Sequence, residues 1–385
     1  MNFKYIPASE PATGRWNMSY VPANMPGCQM MSNIKYVPAC VGAINNGYSL
    51  SPKYKLSWWE PNSFFQYNTM LISAYYGMKW KDNFRSYFNI PDDFILIGDS
   101  GGFQNMTMNA NLNPIEVLRW QEKHCNIGLT FDLPLLEPDF QIRKDKMIQT
   151  AFNAKVAFMN RKNYNMKLFA CFHGQTMDEQ KFMIKEYEKH IPLEKFDGIA
   201  YGGLVASAGD TEFLIKILAL FCYNVKHYNM PVHFFGLSGN KIMPYIKYIS
   251  ETFQMKITFD SSSYGCGAIR REFWKGNADE KIKVMETKFD KIPCDCPVCR
   301  AVKEWEVYRE DGSIAGGLIS LHNLYQTLQK VNQMQEMSKD ENAKSLNPRF
   351  RKFIDIMKEH GPDNAFQIMD KIPENDTTQN SLFSY

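Results

Sequence analysis

Two periods of hydrophobic and polar positions alternate along the chain. Short, almost continuous apolar runs recur at IKYVPA (34–39), LISAYY (71–76), FILIGD (94–99), IGLTFD (127–132), LFACFH (168–173), GIAYGG (198–203), VHFFGL (232–237) and KITFDS (256–261). Runs of this length and composition predict strands buried on both faces. Between them, PIEVLRWQEKH (114–124) and MDEQKFMIKEYEKH (177–190) show helical spacing with one charged face. Alternating strand and helix predicts an α/β fold with a parallel sheet, and eight strands predict an eight-stranded (β/α)8 TIM barrel.

The pattern divides the chain into four parts: an irregular lead-in over 1–30, the barrel over 31–285, a cysteine-bearing subdomain over 286–345, and a C-terminal helix and tail over 346–385. Within the last two, the spacing predicts a helix over 321–338, a polar linker SKDENAKSLNP (338–348) and a short basic amphipathic helix RFRKFIDIMKEH (349–360).

Composition narrows the class. With 385 residues, 44% hydrophobic and 22% charged, the chain has material for a sizeable core, which excludes collagen-like and largely disordered chains. No apolar run is long enough to span a bilayer, and the start lacks a basic segment followed by an apolar one. Those features predict a cytoplasmic location and no membrane partner. A formal charge of +3 is too small to announce a nucleic-acid partner by itself.

Nine cysteines without a leader argue against a disulfide framework. Six are scattered (Cys28, Cys40, Cys125, Cys171, Cys222, Cys266) and read as small core residues. Cys294, Cys296 and Cys299 instead form C-x-C-x-x-C, followed by His322 in LISLHNLY. Three thiolates and an imidazole make a closed tetrahedral set for one structural Zn2+, with no position left for substrate.

Polar residues gather where the strands end. Asp99, Asp132, His173, the Gly202–Gly203 pair and Asp260 all fall at or just past the C-terminal end of a predicted strand, and in a parallel barrel those ends share the catalytic face. In DSGGFQ (99–104), Gly101 and Gly102 allow close approach of a flat ligand and Phe103 offers a stacking face. Asp99 and Ser100 put an acid and a hydroxyl beside it.

DSGGFQ, FDLPLLEPD (131–139), YGGL (201–204), PVHFFG (231–236) followed by FDSSSY (259–264), and CDCPVC followed by LISLHNLY occur in this order. The chain thereby resembles the guanine transglycosylases, which include the queuine- and archaeosine-type tRNA enzymes and DNA-modifying relatives. The resemblance runs from about residue 70 to residue 340. It implies a zinc-containing barrel that exchanges a guanine base in nucleic acid for a 7-deazaguanine. Asp260 then matches the nucleophile that attacks C1′, and Asp99 the general acid/base. Ser100, Gly102, Phe103, Asp132, Gly202, Gly203 and Leu204 match the base pocket. A carboxylate trapping an oxocarbenium-like centre is sound chemistry on independent grounds, as in retaining glycosidases.

The sequence departs from the tRNA enzymes at Phe172-His173-Gly174, where they carry Val-Gln-Gly; His173 is placed to change which 7-substituent is read. The short, diverged region before residue 90 and the compact region after the zinc segment favour DNA as substrate, with tRNA as the alternative. A non-catalytic zinc-bearing nucleic-acid-binding protein and an unrelated barrel hydrolase are the readings of another class. Arg270 and Arg271, after the nucleophile loop, are the expected phosphate contacts. A nucleic acid, a 7-deazaguanine base and a second copy of the chain are the expected partners.

Overall fold

Each of the eight apolar runs overlaps a strand. The computed structural model describes residues 3–5, 36–38, 58–59, 63–79, 84–204, 210–237, 241–310 and 313–371. Its strands are β1 (Phe3–Tyr5), β2 (Tyr36–Pro38), β3 (Thr69–Ser73), β4 (Ile95–Asp99), β5 (Ile127–Leu129), β6 (Lys167–Phe172), β7 (Gly198–Tyr201), β8 (Val232–Phe234), β9 (Ile257–Ser261), β10 (Glu272–Lys275) and β11 (Glu280–Lys283). From β3 to β9 every strand pairs in parallel with the next in sequence, and the helices between them supply the crossovers. This is the α/β barrel order that the alternation predicts.

The eighth position differs from the expectation. It is composite: β1, in the stretch read as an irregular lead-in, and β2 both pair in parallel with β9, Phe3 opposite Ile257 and Tyr36 opposite Phe259. Among the described residues no ladder joins β3 to either, so the sheet stops just short of closure. β2 lies within the predicted run IKYVPA, whereas the three residues of β1 carry too little periodicity to be recognised as a half-strand. Cys28 and Cys40 lie outside the described residues.

The strands are buried on both faces, as continuous apolar runs require: β3, β7 and β8 have no exposed residue, and Leu96, Leu168, Ala170, Ile199 and Phe259 are fully inside. The helices start where a side-chain oxygen satisfies free backbone N–H groups. Asn113, Asp139, Thr176 and Asp210 accept from the first turns of the helices Pro114–His124, Phe140–Asn160, Met177–His190 and Thr211–Val225. Thr176 follows the end of β6 after a short loop, while Asn113 follows β4 only after the short helix Gly102–Thr107. Of the scattered cysteines, Cys125, Cys171 and Cys222 are buried and Cys266 is half-buried.

After β9 the chain forms the antiparallel β10–β11 hairpin, which the sequence pattern did not reveal, and then the cysteine segment. The helix expected over 321–338 begins earlier and spans Ser313–Glu336. The segment read as a polar linker contains a helix, Lys339–Ser345, closed by a capping box between Ser338 and Glu341. It is polar because one side faces water, while Asn342 is buried and donates to the Pro244 carbonyl. The basic amphipathic helix is present as Pro348–His360, with Phe350, Phe353, Ile354 and Met357 inward, and a further helix, Pro362–Lys371, packs on it. No described helix is long and apolar enough to cross a membrane.

Candidate active site and metal cluster

The parallel order brings the strand-end residues to one face. Asp99 is the last residue of β4, Asp132 follows β5, His173 is the first residue after β6, Gly202 and Gly203 follow β7, and Asp260 is the penultimate residue of β9. Local hydrogen bonds then fix them.

Ser100 donates to Asp132 Oδ1 at 2.5 Å and accepts from Gly102 N–H at 2.9 Å. Gly101 has φ +78°, a left-handed conformation suited to glycine, and its N–H reaches Asp99 Oδ2 at 3.2 Å. A Cβ on Gly102 would stand 2.2 Å from the Asp132 carbonyl oxygen, so this position must be glycine for the two loops to meet. Phe103 is half-buried at the start of the short helix Gly102–Thr107, and Leu204 is buried.

On the other side of Asp132, His173 Nε2 lies 3.0 Å from its Oδ2. His173 is fully buried, and its Nδ1 has no hydrogen-bond partner among the described residues. Cβ positions built on Gly202 and Gly203 fall 2.8 Å from His173 Cε1 and 3.3 Å from Nδ1, so those glycines leave room for the ring. Ser100, Gly102, Asp132, His173, Gly202 and Gly203 therefore form one linked group.

Behind this group is a buried network that inspection of motifs missed. Arg143 makes a two-pronged ion pair with Glu179, with both N···O distances 2.7 Å. Glu179 also accepts from Gln175 N–H at 2.6 Å, and Gln175 Nε2 donates to the Gly203 carbonyl at 2.9 Å. The network locks the loop after β6 to the loop after β7. It is invisible in sequence because Arg143 and Glu179 belong to different helices.

Asp260 is wholly buried. Its Oδ1 accepts from Gly236 N–H at 2.8 Å and lies 3.3 Å from His233 Nε2, while Oδ2 has no partner among the described residues. Burial raises the Asp260 carboxyl above the ordinary range, opposed by His233 and the Gly236 amide. Asp99 is pushed up to about 7, first by its withdrawal from water and then by the negative charge of Asp132, with Asp260 adding to the effect. The two carboxylates therefore differ in kind: one is an acid poised near neutrality, the other is held on one oxygen with the second left bare.

Arg270 and Arg271 follow the helix Ser263–Ile269. Arg270 is half exposed and paired with Glu272 through Nε and Nη2, each at 3.1 Å, while Lys283 approaches the same carboxylate. Arg271 has φ +53° and reaches the Tyr308 carbonyl. Both are tied to the protein on at least one side.

The four metal-type ligands converge. One donor atom each from Cys294, Cys296, Cys299 and His322 lies within 4.8 Å of all the others. His322 Nε2 is 2.5 Å from the Trp274 carbonyl, which puts the proton on Nε2 and leaves Nδ1 as the donor, 3.3 Å from both Cys296 and Cys299 sulfurs. Its ring stacks on Phe273 at 3.6 Å. Cys296 N–H, Cys299 N–H and Gln326 Nε2 point at the sulfurs, which suits thiolates. Donor set, tautomer and supporting hydrogen bonds all fit a closed tetrahedral metal site.

A barrel with paired strand-end carboxylates and a separate Cys3His cluster defines the class. The family model described as queuine tRNA-ribosyltransferase matches residues 78–355, and the chain belongs to that family. It is similar to the tRNA-guanine(15) transglycosylase of Methanococcus aeolicus, 24% identical over 267 residues that cover 66% of this chain and 38% of the relative. The protein of the same name from Methanococcus maripaludis is 24% identical over 291 residues, 70% of this chain and 43% of the relative. The chain spans about two fifths of the length of these curated relatives.

Proposed function

We propose that this protein is a guanine transglycosylase that exchanges a guanine in a polynucleotide for a free 7-deazaguanine base, with zinc holding the Cys3His cluster. The observation that carries the reading is the contrast between Asp260 and Asp99 on one barrel face. Asp260 Oδ2 attacks C1′ of the target nucleoside. The C1′–N9 bond breaks with its electron pair going to the base, and Asp99 supplies the proton that neutralises it. The incoming base then gives its N9 proton to Asp99 and attacks C1′, and Asp260 leaves as carboxylate. Atoms and charge balance over the two steps.

The base lies against Phe103, between Gly102 and the Gly203–Leu204 loop. Asp132 accepts from the N–H groups of a guanine-like edge, held in orientation by Ser100. His173, where the tRNA enzymes carry glutamine, offers its unpartnered Nδ1 to the base and so reads the 7-substituent. Arg270 and Arg271 contact phosphate, and the target nucleotide is flipped out of any stack to reach the pocket. The names of the curated relatives favour tRNA, which reverses the order in which the sequence reading placed DNA and tRNA.

The test offers labelled guanine to unmodified tRNA and to double- and single-stranded DNA in parallel. Label is expected in tRNA. Label confined to DNA reverses the substrate assignment and leaves the chemistry standing, whereas no label in either polymer removes the enzyme reading.

Asp99 supplies a pH prediction. The displacement half-reaction needs its neutral form, so the rate falls as pH rises through about 7. Asp99→Asn is expected to slow displacement by roughly 10²–10⁴-fold and to abolish that alkaline limb. Because folding raises the Asp99 value, its stabilising contribution is complete at low pH and lost as pH passes the folded value. Asp99→Asn therefore melts at a higher temperature than wild type at pH 8. Thermal melts at pH 5 and pH 8 check this; equal shifts at both would show that Asp99 is not buried as an acid.

A further inference from the structure

His233 lies within PVHFFG without an assigned role, yet its Nε2 is 3.3 Å from Oδ1 of the proposed nucleophile. It projects inward from β8, 1% exposed, beside Thr258 and Asp260 of β9. Its Nδ1 is 2.9 Å from Thr258 Oγ1, which in turn lies 3.2 Å from the Val232 carbonyl. A carbonyl only accepts, so the threonine hydroxyl spends its single proton there. Its lone pair is left to receive a proton from His233 Nδ1. With Nδ1 protonated, a neutral ring would turn the bare lone pair of Nε2 toward Asp260 Oδ1, 3.3 Å away. That contact is repulsive unless a proton lies between the two atoms.

We propose that His233, with its tautomer fixed by Thr258, is a positioning residue that keeps one proton between Nε2 and Asp260 Oδ1, so that Oδ2 alone faces C1′. The inference rests on the reading of Asp260 as nucleophile. Oδ1, held by Gly236 N–H at 2.8 Å, is then drawn also toward His233 Nε2 at 3.3 Å, and two contacts on one oxygen resist rotation of the carboxylate. When C1′ bonds to Oδ2, Oδ1 becomes the carbonyl oxygen of the ester, and the N–H remains directed at it. When the incoming base breaks the C1′–Oδ2 bond, the electron pair returns to a carboxylate already facing a donor. No proton leaves the pair in either step.

Phe235 packs edge-on against the His233 ring and carries no charge. β7 offers Ala200 as the register partner of His233, and β2 places Val37 opposite Asp260. Asp260 in turn raises Asp99 of β4, on which Asp132 after β5 acts more strongly. Burial works against ionisation of Asp260 and His233 works for it.

The test is single-turnover formation of the protein–nucleic acid adduct across pH 5 to 9 on the full chain, with wild type, His233→Phe, His233→Gln and Thr258→Val. His233→Phe is expected to slow adduct formation by roughly 10–100-fold and to move the acid limb of the profile to higher pH, because the buried carboxyl loses its partner. His233→Gln keeps a neutral donor; it is expected to recover most of the rate at high pH but not the position of the acid limb. Thr258→Val shifts the limb in the same direction by less. The KM for the free base stays unchanged in all three, since none lines the base pocket. An unshifted acid limb in both His233→Gln and Thr258→Val overturns the proposal, and those two variants carry the test if the phenylalanine variant does not fold. Asp260→Ala run alongside separates the two readings: adduct formed by that variant removes the nucleophile assignment itself.

Discussion

Asp260→Ala is expected to abolish base exchange, with a loss of at least about 10⁴-fold, while the polynucleotide still binds. The size follows from the geometry. Among the described residues Asp260 is the carboxylate with one oxygen held by Gly236 N–H and the other left without a partner, and it is fully buried. Asp99 is hydrogen-bonded by Gly101 and has the profile of a proton carrier. It does not substitute. Binding is expected to survive because the proposed phosphate contacts are made by surface cations and not by Asp260. Gel-shift and isotope-exchange measurements on one preparation read both quantities. Removing a buried carboxyl that is costly to ionise is also expected to leave the melting temperature unchanged or raised.

The second large effect concerns the metal. The purified protein is expected to hold about one zinc per chain, and Cys296→Ala to lose it. Metal binding at such sites is worth on the order of 10 kcal/mol, so the melting transition should fall by roughly 10 °C or more. Activity falls with it, through a traceable connection. His322 holds the Trp274 carbonyl, and the neighbouring Asn323 accepts from Trp274 N–H and donates to the carbonyls of Glu272 and Tyr264. Tyr264 is on the helix that follows the nucleophile strand. Releasing His322 from the metal is therefore expected to loosen the β10–β11 hairpin and the helix Ser263–Ile269 that follows the strand carrying Asp260. Elemental analysis together with melting curves checks the prediction; full zinc content after loss of any two of the four ligands would reject the site.

Much of this was legible in sequence where the signal is local. The apolar runs located the barrel strands because a strand buried on both faces must be apolar throughout. The strand-end positions of Asp99, Asp132, His173 and Asp260 followed from parallel order alone. The metal ligands were legible because three are adjacent and the fourth sits on a helix beyond them.

Contacts made between distant segments were not legible. β1 and β2 together fill one strand position from two stretches more than thirty residues apart, which no periodicity encodes. His233 stood within a quoted motif, but its meaning depends on the β8–β9 register that sets it beside Thr258 and Asp260. The Arg143–Glu179–Gln175 network joins two helices and a loop. In the C-terminal region, SKDENAKSLNP looked like a linker because a two-turn helix with one wet face has too few apolar residues to register. The Ser338–Glu341 spacing was the available sign.

On the proposed mechanism Asp260 becomes covalently bonded to C1′ while the base departs. This step is tested most directly by mixing the protein with a guanine-containing substrate in the absence of replacement base, denaturing, digesting, and mapping the nucleotide-bearing peptide by mass spectrometry. A nucleotide adduct is expected on the peptide containing Asp260, lost on adding free guanine before denaturation. An adduct located on Asp99, or base exchange proceeding at full rate with no adduct on any peptide, would contradict that mechanism.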